Sequence, residues 1–104
     1  MNTNKDAAII DAFNKGYRVI NGDVFYKGKK RKLDVHGWCY CFGVRNSLGK
    51  RINIKVHRLL GYQKFGDLIF NTELEVCHKD NIPLNNLDDN IIIRNSDGTK
   101  YRPD

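Results

Sequence analysis

Val76-Cys77-His78-Lys79-Asp80-Asn81 and Asn85-Asn86-Leu87-Asp88-Asp89-Asn90-Ile91-Ile92-Ile93 are the stretch whose reading decides the fold. Residues 72–78 read as a strand, and residues 91–93 as its partner. The loop between them is rich in Asn and Asp, which tolerate left-handed backbone and hydrogen-bond their own main chain. Pro83 forbids regular pairing inside it. A His therefore closes one apolar strand, and an Asn opens the next.

Working outward, residues 57–65 (HRLLGYQKF) read as a short helix ended by Gly66. Before it, Ile52, Ile54 and Val56 alternate with Arg51, Asn53 and Lys55, giving a strand with one buried and one basic face. Residues 46–50 read as a turn. In residues 38–44, Trp38, Tyr40 and Phe42 fall on one side, expected to be core, and Cys39 and Cys41 on the other. Residues 27–32 (KGKKRK) read as a basic connection. Residues 17–26 are a hairpin, because Asn21-Gly22 supplies the positive φ angles of a tight turn. Residues 4–15 carry Ala8, Ile9, Ala12 and Phe13 on one helical face, with Gly16 as the stop. In the tail, Gly98 and Pro103 curtail any helix.

At 104 residues one domain is expected, with a modest core and no large cavity. No apolar run is long enough to span a bilayer, and the first ten residues do not read as a signal peptide. The three cysteines form no CxxC pair. They indicate a reducing, cytoplasmic setting rather than a disulfide scaffold. Cys39, Cys41, Cys77 and His78 lack the knuckle spacing of a zinc site.

Charge is unevenly spread. Residues 27–66 hold eleven Lys and Arg against one acid, Asp34, whereas residues 67–104 hold four bases and eight acids. A basic middle of this kind suits a grip on phosphates. Lys29, Lys30, Arg31 and Lys32, with Lys50, Arg51, Lys55 and Arg58, are the expected nucleic-acid contacts.

Residues 56–93 resemble the HNH (ββα-metal) family, above all the homing-type nucleases of phages and mobile elements. Val56-His57-Arg58-Leu59 matches the segment that opens a helix in that family. His78-Lys79-Asp80, Asn85-Asn86 and Asn90-Ile91 match the motif that follows. The resemblance implies a single α+β domain over residues 1–104. Residues 1–55 supply an N-terminal helix and a small antiparallel sheet of basic strands, and residues 56–104 a ββα-metal unit with a shortened final helix. It further implies a metal-dependent DNA endonuclease that nicks as a monomer or weak homodimer, in the host cytoplasm if phage-encoded.

In that chemistry a His takes a proton from water, and a divalent ion stabilises the phosphate and the leaving oxygen. The resemblance assigns the base to His78 and the loop-bracing role to Asn90, with Asn85 and Asn86 closing the loop through main-chain bonds. Asn81 stands where the family has Gly. The metal positions fall on Cys77 and Thr99, with Asp97 as a neighbour reached by a small shift in register. The implied cofactor is Mg or Mn, or Zn if a thiolate takes part.

Cys77 and Thr99 depart from the family's usual ligands. Two alternatives therefore stand beside the enzyme: an HNH-fold DNA-binding protein without catalysis, and a small phage protein that inhibits a host protein through its acidic 67–97 surface. His57 reads as a helix-start packing residue and His36 as a strand-edge residue.

Overall fold

Two tight turns build the first sheet. Asn21 and Gly22 both adopt positive φ (51° and 84°), and this pairs β1 (Arg18–Ile20) antiparallel to β2 (Asp23–Tyr26). Lys27 and Gly28 repeat the device (51° and 75°) and pair β2 with β3 (Lys29–Lys30). The expected basic connection is thus partly a strand, because Lys-Gly turns the chain as Asn-Gly does. The computed structural model describes residues 4–46 and 48–102, and Pro103 lies outside them.

The second sheet is β4 (Asp34–His36), β5 (Cys39–Arg45) and β6 (Arg51–Lys55), all antiparallel. Gly43 lets the Arg51 side chain cross its face: a Cβ there would sit 2.4 Å from Arg51 Nε. The third sheet is a hairpin of β7 (Leu74–His78) and β8 (Ile91–Asn95). The two helices are α1 (Asn4–Lys15) and α2 (Val56–Phe65). The molecule is a small α+β domain with antiparallel sheets.

Helix α2 is the centre of the packing. Its Val56, Leu59 and Leu60 are buried with Val24, Phe42, Ile54 and Ile91. Gly61 permits close approach to β7, since a Cβ would lie 3.0 Å from Val76 Cγ2. Gln63 pairs with the main chain of Val19, accepting from its N–H (2.9 Å) and donating to its carbonyl (3.0 Å). Lys64 donates to the carbonyls of Asp88 and Ile91, where a short 3-10 turn (Asp88–Asn90) leads into β8. Through these contacts α2 fixes the β7–β8 hairpin against the sheets.

Two expectations are corrected. No helix follows β8 among the described residues. Instead, Gly98 takes positive φ (89°), Asn95 N–H donates to Thr99 O, and Arg94 bridges to Lys100. Side-chain bonds to Asp97 close this turn before a helix can start. Trp38, expected in the core with Phe42, is 82% exposed, because it falls in the two-residue turn between β4 and β5. No described helix is long and apolar enough to cross a membrane.

Candidate functional site

His78 ends β7 opposite Ile91 and is half-buried. Its Nε2 lies 2.8 Å from Asn86 Oδ1. A carboxamide oxygen only accepts, so this contact is a hydrogen bond in the His78 tautomer that carries its proton on Nε2 and its lone pair on Nδ1. Asn86 is only 3% exposed, so the ring is held by a fixed partner. Asn86 Nδ2 and His57 Nδ1 are both buried without a hydrogen-bond partner.

The loop that delivers Asn86 is organised around Asp80. Asn90 Nδ2 donates to Asp80 Oδ1 (2.9 Å) and to the Asn85 carbonyl (2.8 Å), and Asn90 Oδ1 accepts the Asp80 N–H (3.1 Å). Asn85 Nδ2 donates to Asp80 Oδ2 (2.7 Å), and the Ile82 N–H to Asp80 Oδ1 (2.9 Å). These donors, the Asn85 amide first, hold the Asp80 carboxyl below the ordinary carboxylate range. Asn81 supplies the positive φ (60°) that turns the chain after Asp80. Lys79 N–H to Asn90 O (2.7 Å) closes the loop base.

His57, in the first turn of α2, brings its ring 5.1 Å from that of His78. Burial, aided by the neighbouring His78, pushes the His57 pKa down to about 4. His57 is thus neutral at physiological pH and adds no charge beside His78.

The proposed metal positions do not come together. Cys77 alternates to the opposite face of β7 from Val76 and His78. Burial pushes its thiol above the ordinary value, away from the thiolate that binds metal. Asp97 and Thr99 sit past the far end of the hairpin. Asn95, before them, is opposite Leu74, four residues or about 13 Å of strand from His78. Asp97 Oδ1 is engaged by the Thr99 N–H (2.9 Å) and Oγ1 (2.6 Å). Among the described residues, no three His, Cys, Asp or Glu side chains gather into one group. Cys77, Asp97 and Thr99 thus do not form one ligand set beside His78.

The basic residues separate into groups. Lys29, Lys30, Arg31, Lys32 and Arg51 line one groove of about 890 Å³, with Lys15, Lys27 and Arg45 and the single acid Asp34. Arg51 is tied there to Asp34 (3.1 Å). Lys30, Arg31 and Lys32 also line an adjoining cavity of about 420 Å³, and its other wall includes residues 84–87. The groove therefore continues to Asn86, the partner of His78. Lys50 lines a cavity against α1 that adjoins the groove through Lys15, Val44 and Arg51. The remaining two lie elsewhere. Lys55 and Arg58 line another beside Asp6, and Arg58 is bound to Asp6 (3.3 Å) and the Ile69 carbonyl (3.3 Å).

Sequence reasoning missed three parts of this site. Asn86 acts through its side chain on His78 rather than through its main chain. Asp80 is the hub of the loop. Lys27 and Arg45 join the basic groove. The Asn85-Asn86 doublet was the only signal for the first, and Lys27-Gly28 for the third. The chain matches no family model, no curated protein and no solved structure.

Proposed function

We propose that the chain is a nucleic-acid-binding protein on an HNH-like hairpin, gripping the phosphate backbone along the basic groove and leading it to His78. One observation carries this: Lys30, Arg31 and Lys32 line both the groove and the cavity walled by Asn85 and Asn86. Cations on that path supply the sequence-independent part of nucleic-acid affinity. The Asp80–Asn85–Asn90 network keeps the loop rigid, so the far wall of the path is preformed.

A second reading, a nicking endonuclease, is favoured by the His78–Asn86 bond. It leaves His78 Nδ1 as an oriented base able to take a proton from an attacking water. Cys77, Asp97 and Thr99 do not gather at His78, and binding without efficient hydrolysis is the first expectation.

The test pairs two measurements on the intact protein. Binding to a labelled oligonucleotide is followed by anisotropy between roughly 50 and 200 mM salt. Wild-type affinity is expected to fall steeply with salt, and the triple change Lys30→Glu, Arg31→Glu, Lys32→Glu to flatten that slope by about one per lost phosphate contact. A salt-insensitive or absent interaction would contradict backbone binding. Supercoiled-plasmid nicking with magnesium, manganese, zinc or no metal, for wild type and His78→Ala, addresses the second reading. Nicking that disappears in His78→Ala would establish the enzyme. Its absence with every metal leaves the binding protein.

A further inference from the structure

Trp38 is the only tryptophan of the chain, and it is 82% exposed. β4 and β5 are joined by a two-residue turn, since His36 pairs directly with Cys39. Gly37 takes the positive φ (63°) that such a turn needs, leaving Trp38 at the solvent tip. Val35, at 57%, adds a second uncovered apolar side chain on the same hairpin. A tryptophan gains more than most side chains from burial, so its presentation on a rigid tip calls for an occupant.

The surroundings identify that occupant by charge. Tyr40, two residues beyond Trp38 and the second residue of β5, lines the cavity shared with Lys30, Arg31, Lys32, Asn85 and Asn86, whose one acid, Asp23, is paired to Lys30 (3.5 Å). The hairpin that carries the indole at its tip thus supplies, through Tyr40, part of the wall of the cationic path. We propose that Trp38 is a stacking platform for an unpaired nucleobase, so that the protein prefers single-stranded or locally opened nucleic acid. This rests on the backbone-binding function proposed above and adds its substrate class. Stacking requires the open π-face of a base, which a closed duplex covers with neighbouring bases. Cations along the path disfavour a basic protein partner. A lone ring with one valine is too small for a stable hydrophobic interface.

The test compares three ligands of equal length: an oligothymidylate, the corresponding abasic strand and a duplex. Trp38 fluorescence reports on the wild type, and anisotropy of a label on the ligand reports on all variants. The oligothymidylate is expected to quench Trp38 and to bind about 5- to 150-fold tighter than the abasic strand. Trp38→Ala should erase that difference while leaving abasic binding unchanged, and Trp38→Phe should retain most of it. An exposed position makes unfolding by Trp38→Ala unlikely to confuse the result, and unchanged abasic affinity reads the fold directly. Equal binding of thymidylate and abasic strands by the wild type, or a preference that survives Trp38→Ala, would overturn the base site while sparing backbone binding. Failure to bind any of the three would overturn both.

Discussion

His57 links acidity to stability. Its proton is taken up near pH 6.5 when unfolded and near pH 4 when folded. The unfolded chain therefore binds more protons between those values. Stability is full above about pH 6.5, is lost progressively as pH falls toward 4, and levels off below that. The loss amounts to about 3 kcal/mol. Denaturant unfolding at several pH values should show this fall in wild type and a flatter profile in His57→Phe. An equally steep profile in the variant would place the acid sensitivity elsewhere. The burial of His57 was legible from its apolar neighbours Val56, Leu59 and Leu60. Its contact with His78 was not, because it joins α2 to the end of β7 and no local spacing encodes it. Asn86 was likewise readable as a loop residue, but not as the side-chain partner of His78.

At the scale of elements, the Asn-rich loop is a rigid insert rather than a flexible connection. Asn90 is 8% exposed, and its side chain ties Asp80 to Asn85. Asn90→Ala is expected to cost about 1 kcal/mol, since it removes the bonds that tie Asp80 to Asn85. It should also speed amide exchange across residues 79–87 while leaving α2 protected. Exchange unchanged in that loop would show that Asp80 and Asn85 suffice without it. The Asn21-Gly22 hairpin, the alternation of β6 and the helix ended by Gly66 were legible because turn chemistry and period act locally. The closing helix was an expectation of resemblance alone. Local residues decided against it: Asp97 and Thr99 bond each other and Gly98 turns the chain. Trp38 shows a different limit. Alternation assigns a face only within a strand, and Trp38 falls in the turn before β5 begins.

At the scale of the whole molecule, the cationic middle of the sequence folds into a continuous path instead of a dispersed surface. β3, the 31–32 segment, β5 and β6 supply the groove, and the loop after β7 supplies its far wall. Composition predicted a phosphate-binding surface. Only the fold distinguishes Lys29, Lys30, Arg31, Lys32 and Arg51 from Lys55 and Arg58. On the proposed function, this path ends at His78. A two-dimensional NMR titration of the labelled protein with a short oligonucleotide, following the backbone amides and the His78 ring, tests it. Shifts are expected at Lys29, Lys30, Arg31 and Lys32, at Asn85 and Asn86, and at the His78 ring, with residues 95–99 unmoved. Shifts confined to the basic groove, or centred on residues 95–99, would contradict it.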